Sequence, residues 1–166
     1  LHASMKGHDV IVHLAAIVGY TACRQDETNS YRVNHEGTIN VVEGLDGSQL
    51  LLYGSTGSNY GKVEGICTET SPLTPLSIYG KSKTMGEEEV MKYSNSVAFR
   101  FATAFGISPR LRLDLLVNDL SYLAHTQKYI AIYESHFMRT FIHVRDIADV
   151  FILTIENKDK MSGEIY

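Results

Sequence analysis

The sequence has too few cysteines, too little excess charge and too short an apolar run for several classes of protein. Two cysteines, Cys23 and Cys67, among 166 residues give neither zinc-ligand spacing nor a disulfide framework, which indicates a reducing, cytoplasmic compartment. The net charge is -4, without a basic stripe, which argues against nucleic acid as a partner. The longest apolar stretch, residues 10–18, falls short of the ~20 residues of a membrane span. We therefore expect a soluble globular protein.

The sequence does contain an alternation of apolar runs and amphipathic segments. Strands are predicted at residues 9–15, 49–53 and 97–103, and helices at residues 30–45 and 77–93. Further on, the pattern predicts helices at residues 113–124 and 145–156 and strands at residues 128–133 and 140–144. Strand, helix, strand at this spacing is typical of right-handed βαβ units and a parallel sheet, hence an α/β fold. Residues 9–15 are apolar enough for a strand covered on both faces.

Tyr79 and Lys83 stand four residues apart within the second predicted helix. Residues at this spacing share one face of a helix and can reach a common ligand. A tyrosine titrates near ~10, and a neighbouring ammonium stabilises the phenolate and lowers that pKa. The pair therefore suggests a tyrosine acid/base with a lysine partner. A packed tyrosine beside a solvated lysine is the alternative, because the motif alone is common.

Ser55 and Thr56 come directly after the second apolar run, at the predicted carboxyl end of a parallel strand. Ligands of open α/β sheets collect at such ends, so both hydroxyls are placed to hydrogen-bond a ligand. The nearby glycines, Gly54, Gly57 and Gly61, do not have the spacing of a dinucleotide-binding loop.

Several other polar residues are better explained by packing or by solvation than by a catalytic or metal-binding role. None of the seven histidines forms an i, i+4 pair, and His13 and His143 lie within apolar runs, so we expect structural histidines and no metal site. The run of three glutamates at residues 87–89 is typical of a solvated helix face.

Six motifs occur in one order along the chain: V-I-V-H-L-A-A (10–16), V-N-H-E-G-T-I-N-V-V-E (33–43), S-T-G-S-N-Y-G (55–61), S-I-Y-G-K-S-K (77–83), R-F-A-T-A-F-G (100–106) and R-T-F-I-H-V-R-D-I-A (139–148). In order and spacing they resemble the NAD-dependent epimerase/dehydratase family, the extended short-chain dehydrogenases that act on nucleotide sugars. The resemblance implies a Rossmann-like doubly wound parallel sheet. It also implies NAD as cofactor, with NADP left open.

The resemblance implies roles for individual residues. Tyr79 would be the general acid and base on a sugar hydroxyl, Lys83 its pKa partner and a ribose ligand, and Thr56 the hydroxyl that completes the relay. The positions that it places at the cofactor are Ala15, Ala16, Gly19, Asn34, Ser55, Tyr79, Lys83 and Ser108. For Asn34, ordinary packing is an equal alternative, since a buried asparagine must hydrogen-bond in any protein.

On the substrate side, the resemblance implies a nucleotide sugar and a homodimer when the enzyme is complete. Arg139 matches an arginine that contacts the substrate pyrophosphate, a task suited to a guanidinium fork. Thr56 and Asn118 would also contact the substrate. A reductase on a neutral substrate is a weaker interpretation, because such a substrate would not need a buried guanidinium.

The reaction type depends on the two residues directly after the catalytic threonine. Dehydratases of the family have carboxylates there, whereas this chain has Gly57 and Ser58. Without an eliminating acid or base at that place, we expect an epimerase-type reaction with transient hydride transfer. A reductase, dehydrogenase or dehydratase of the same family, and a non-catalytic NAD-binding protein, are the alternatives.

The family begins with a strand, a glycine turn, a helix and an acidic ribose ligand, and we find none of these before residue 9. The resemblance therefore implies a truncated sheet that lacks strands 1 to 3 and the C-terminal end. Residues 1–166 would form a partial NAD(P)-binding Rossmann-like domain, with the start of the substrate-binding part at about residues 107–143. By itself such a chain is expected to be inactive.

Overall fold

The computed structural model describes all 166 residues and consists of short parallel strands joined by helices. The strands are β1 (Val10–His13), β2 (Leu50–Gly54), β3 (Ser96–Phe99), β4 (Thr103–Phe105) and β5 (Phe141–His143). The helices are α1 (His2–Met5), α2 (Tyr20–Gln25), α3 (Glu27–Tyr31), α4 (Gly37–Glu43), α5 (Ile78–Val90), α6 (Leu116–Gln127), α7 (Val144–Glu156) and α8 (Lys158–Met161). A π-helical turn (Arg32–Glu36) separates α3 from α4, and a 3-10 turn (Gly57–Tyr60) comes after β2.

The chain divides into two compact units, one of residues 1–101 with 153–166 and one of residues 102–152. The first unit holds a parallel sheet of order β1-β2-β3, in which helices connect each strand to the next. In the second unit, β4 and β5 pair in parallel. The predicted parallel α/β architecture is therefore confirmed.

Strand β2 lies at the centre of the first unit, and its residues Leu50, Leu51, Leu52 and Tyr53 are fully buried. Four consecutive buried residues require cover on both faces, which a parallel sheet with helical crossovers provides. The two edges of this sheet differ. Beyond β3, the chain terminus adds a parallel bridge between Ala98 and Ile165, whereas β1 pairs with β2 alone.

One predicted strand is absent, and one is less covered than predicted. In the first apolar run the strand forms at β1 but is not covered on both faces, since Val12 is 44% and Leu14 56% exposed. Residues 128–133 form no strand; the chain leaves α6 through Lys128 at a positive φ of 64°, and the apolar side chains beyond it are exposed. The strand predicted at residues 97–103 is divided between β3 and β4.

Candidate active site

Helix α5 positions Tyr79 and Lys83 where the sequence predicted a helix. The Ser77 hydroxyl accepts a hydrogen bond from the Gly80 N–H at 3.0 Å, so that the helix begins directly before Tyr79. Tyr79 is half-buried. Lys83 is only 2% exposed, and its Nζ lies 3.8 Å from the centroid of the Tyr53 ring. The alternative of a solvated lysine is therefore wrong.

Burial changes the proton affinity of Lys83. Desolvation lowers the pKa of its ammonium from 10.5 to about 7, while the carboxylate of Glu87 acts in the opposite direction. A lysine whose pKa is near 7 can hold or release its proton at physiological pH. Such a shifted group beside a half-buried tyrosine is typical of a functional site.

Two glycines let α5 approach the sheet and the loop after β2. A Cβ at Gly86 would lie 2.5 Å from the Tyr53 hydroxyl and 2.9 Å from the Asn34 carbonyl oxygen. A Cβ at Gly80 would lie 3.0 Å from the Ser58 carbonyl oxygen. Side chains at these positions would push the helix outward, so the glycines set the depth at which α5 lies.

Thr56 lies just beyond the carboxyl end of β2 and caps the 3-10 turn. Its hydroxyl oxygen accepts a hydrogen bond from the Ser58 N–H at 3.2 Å, and the side chain is largely buried. The Gly57 N–H donates to the Phe101 carbonyl at 2.9 Å. Because Ser58 also lies beside Gly80, the turn that carries Thr56 packs against the first turn of α5.

The prediction of a solvated glutamate run is wrong for Glu87. Its side chain is 2% exposed and forms a salt bridge of 2.6 Å with the guanidinium of Arg100, whereas Glu88 is exposed. The hydroxyl of Ser55, which was predicted to bind a ligand, donates its hydrogen to Glu87 at 2.5 Å.

Asn34 joins the loop after β1 to α5. Its Oδ1 accepts from the Ile17 N–H at 2.7 Å, and its Nδ2 donates to the Ile17 carbonyl at 2.9 Å and to the Ser82 hydroxyl at 3.0 Å. Ser82 in turn donates to the Tyr79 carbonyl at 3.1 Å. The uniform helix predicted at residues 30–45 is interrupted here, since the Gly37 N–H bonds to Arg32 five residues back. π-Helical turns of this kind are frequent at functional sites.

His13 is hydrogen-bonded inside the protein. Its Nε2 lies 2.9 Å from the Thr38 hydroxyl, which donates its own hydrogen to the Asn34 carbonyl at 2.7 Å. Burial, with a smaller contribution from Lys83, lowers the pKa of His13 to about 4. The side chain is therefore a neutral structural histidine at physiological pH.

The small residues predicted along the cofactor lie in the loop after β1. Ala15 is exposed, Ala16 and Gly19 are half-buried, and Gly19 adopts a φ of 92° that favours glycine. Asn34 holds this loop through both polar atoms of the Ile17 backbone.

The remaining candidates belong to the second unit. Asn118 accepts from the Gly106 N–H at 3.1 Å and donates to the Arg112 carbonyl at 3.0 Å, so that its amide holds the loop between β4 and α6. Ser108 and Arg139 are exposed. The expectation of a buried guanidinium at Arg139 is therefore wrong in this structure.

Four residues that shape the site were missed by sequence reasoning: Tyr53, Ser82, Glu87 and Arg100. One signal was available for Glu87, because it continues the four-residue spacing of Tyr79 and Lys83 on one helix face.

No helix of the chain combines the length and apolar character that a membrane crossing requires.

The family model described as "NAD dependent epimerase/dehydratase family" matches residues 1–166. A Bacillus subtilis protein described as an uncharacterized UDP-glucose epimerase, YtcB, is 32% identical over 99% of this chain and 54% of its own length. The chain thus spans about half the length of the curated relatives that it matches.

Two similar solved structures contain NAD. MoeE5 in complex with UDP-glucose and NAD is 26% identical, with a TM-score of 0.84 over 99% of this chain and 57% of that one. UDP-glucuronic acid 4-epimerase from Bacillus cereus, in complex with UDP-glucuronic acid and NAD, is 27% identical, with a TM-score of 0.83 over 99% of this chain and 55% of that one. These likenesses confirm the Rossmann-like fold class. Because the family model matches the whole chain, the protein belongs to the NAD-dependent epimerase/dehydratase family.

Proposed function

We propose that the chain supplies the acid/base centre of an NAD-dependent nucleotide-sugar epimerase, in which Tyr79 moves the proton of a sugar hydroxyl. The observation that carries this proposal is the buried Lys83 ammonium on the same helix face as the half-buried Tyr79. Thr56 lies on the turn that packs against the start of that helix. These observations support the proposal because Thr56 and the helix that carries Tyr79 and Lys83 both lie near the carboxyl end of β2.

The residues present fit the ribose and nicotinamide end of a dinucleotide. Lys83 is a buried cation that packs on an aromatic ring, and its nearest carboxylate along the helix, Glu87, is paired with Arg100. Its N–H groups suit ribose hydroxyls. Small residues in the loop after β1 permit close approach of a ligand. When bound, NAD would accept a hydride from the sugar and return it.

The protein groups handle the proton. Tyr79 in its phenolate form would accept the hydroxyl hydrogen of the sugar, and the charge of Lys83 would stabilise that phenolate. Thr56 can donate its hydroxyl hydrogen, since the Ser58 N–H already satisfies one lone pair of its oxygen. The same groups in reverse order would return the proton to the sugar oxygen when the hydride is delivered to the opposite face of the carbon.

The residues after Thr56 favour epimerisation over elimination. Gly57 and Ser58 provide no carboxylate to assist the departure of water. We further propose that residues 107–143 begin the substrate-binding part, where the exposed guanidinium of Arg139 is accessible to a pyrophosphate. The complete enzyme is proposed to be a cytoplasmic homodimer, and both cysteines of the present chain are free thiols.

The test uses a hybrid in which this chain replaces the matched region of the Bacillus subtilis relative. Incubated with NAD and a panel of UDP- and dTDP-sugars, the hybrid should interconvert stereoisomers without release of water. A 4-keto-6-deoxy product would contradict the epimerase assignment. Retention of NAD without turnover of any sugar would favour a non-catalytic binding protein.

Two substitutions in the hybrid test the acid/base group. Tyr79→Phe should lower kcat by about 10²- to 10⁴-fold with NAD binding unchanged, because it removes only the ionisable oxygen. Lys83→Met should lower both kcat and NAD affinity, whereas Lys81→Met, at an exposed position two residues earlier, should change neither. Unchanged turnover in Tyr79→Phe would contradict its catalytic role.

A further inference from the structure

The carboxylate of Glu87 is the centre of a buried hydrogen-bond network. It accepts from the Ser55 hydroxyl at 2.5 Å and from the Asn59 Nδ2 at 3.0 Å. The Arg100 guanidinium donates to it through Nη2 at 2.6 Å and through Nε at 3.1 and 3.2 Å to its two oxygens. Both oxygens of the carboxylate are thus used, and neither faces bulk water.

The two uncharged donors of this network lie on either side of Thr56. Ser55 directly precedes it, and Asn59 ends the first turn after it and also donates to the Ser55 hydroxyl at 3.1 Å. Asn59 is fully buried, and its Oδ1 has no hydrogen-bond partner. Its amide therefore keeps an orientation that serves the carboxylate, although this leaves its own acceptor unsatisfied.

Arg100 extends the network to the next loop of the chain. Its Nη1 donates to the Tyr60 hydroxyl at 3.0 Å and to the Glu69 carbonyl at 2.8 Å. A buried carboxylate needs such a cation, since an unpaired charge in the interior is strongly unfavourable. Glu87 and Arg100 together therefore fix the segment from Ser55 to Tyr60 onto the helix that carries Tyr79.

We propose that Glu87, supported by Arg100, is a positioning residue that holds the Thr56 hydroxyl in register with Tyr79. Tyr79 and Glu87 share one rigid helix, so a hydrogen-bonded clamp from Glu87 to both sides of Thr56 fixes the hydroxyl relative to the phenol. Errors of about 1 Å in such positions are costly to reaction rates. This inference rests on the proposed function.

The first test measures amide hydrogen exchange in the 166-residue chain. The N–H groups of Gly57, Asn59 and Gly61 donate to backbone carbonyls around the 3-10 turn and report its opening. Glu87→Gln should raise their exchange rates by about tenfold with the amides of β2 unchanged. Glu88→Gln, the same chemical change at the exposed neighbour, is the matched control. Equal exchange in both variants would overturn the proposal.

A second variant covers the case in which Glu87→Gln does not fold. Ser55→Ala removes one donor to the carboxylate and leaves the Glu87–Arg100 pair in place. It should raise exchange at the same three amides by a smaller factor. Unchanged exchange at all three would overturn the proposal independently of Glu87→Gln.

The kinetic test uses the hybrid enzyme and a double-mutant cycle. Glu87→Gln should lower kcat by about ten- to a hundredfold with little change in KM. If Glu87 acts through Thr56, adding Glu87→Gln to Thr56→Val should cause no further loss of kcat. Multiplicative losses would show a general structural role and overturn the proposal. A parent hybrid without activity contradicts the proposed function, and the exchange rates then decide whether Glu87 holds the segment.

Discussion

The Nζ of Lys83 lies 3.8 Å from the centroid of the Tyr53 ring, so that a buried ammonium rests on an aromatic face. The ring attracts the cation through its quadrupole. Burial raises the pKa of the Tyr53 hydroxyl, and the ring therefore stays neutral beneath the ammonium. Because a neutral ring accepts no strong hydrogen bond, the N–H groups of Lys83 remain suited to a hydroxylated ligand.

The lowered pKa of Lys83 predicts a specific dependence of stability on pH. Between pH 7 and 10.5 the unfolded chain binds more protons at this residue than the folded chain, so its contribution favours folding increasingly as pH rises. Below pH 7 both states are protonated, and the full cost of burying the charge remains. Lys83→Met should therefore stabilise the chain most at pH 6 and least at pH 10, with a limiting slope of ~1.4 kcal/mol per pH unit.

This prediction is checked by urea unfolding of both forms across that pH range. The difference between the two curves isolates Lys83 from other titrating groups. Lys81→Met, at an exposed position, should give a difference independent of pH. Parallel curves for Lys83→Met and the parent chain would contradict the assignment.

Gly86→Ala should destabilise the fold by about 1–3 kcal/mol, because the new Cβ would overlap buried atoms that cannot move freely. The nearest would be the Tyr53 hydroxyl at 2.5 Å. Gly37→Ala is the control: its Cβ would find only the Arg32 carbonyl at 3.6 Å, so it should stabilise helix α4 by up to ~1 kcal/mol. Thermal unfolding of both variants gives the comparison, and similar shifts would contradict the packing argument.

Glu87→Ala should lower the free energy of unfolding by about 3–5 kcal/mol, since it leaves the Arg100 guanidinium buried without its counter-ion. Glu88→Ala removes an exposed carboxylate from the same helix and should change stability by less than ~0.5 kcal/mol. Denaturant titration distinguishes them. Equal losses in the two variants would show that the Glu87–Arg100 ion pair adds nothing to the free energy of unfolding beyond the effect of each substitution on helix propensity.

Arg139→Ala in the hybrid should weaken nucleotide-sugar binding far more than NAD binding. Its guanidinium is exposed and suited to bidentate contact with a pyrophosphate. Isothermal titration with UDP-sugar and with NAD measures both affinities. Equal losses would indicate a structural role for Arg139.

The spacing of residues along the sequence predicted the parts of the site that lie on one helix. It could not predict which side chains are buried, because burial depends on partners from other elements. Tyr79 and Lys83 could be assigned because four-residue spacing fixes their common face. Glu87 continues that spacing but was hidden in a run of three glutamates, and its partner Arg100 comes from another element. Likewise, Val12 resembles a buried strand residue, yet it is 44% exposed in the edge strand β1.

The two edges of the sheet in the first unit differ in whether a strand from a second copy of this chain could pair with them. At β3 the backbone of Ala98 is already bonded to Glu164 and Tyr166, so a further strand cannot pair with Ala98 on that side. The outer edge of β1 has no strand paired with it, and Val12 and the following Leu14 are exposed. Two copies that met at β1 would each pair with the other's open edge strand.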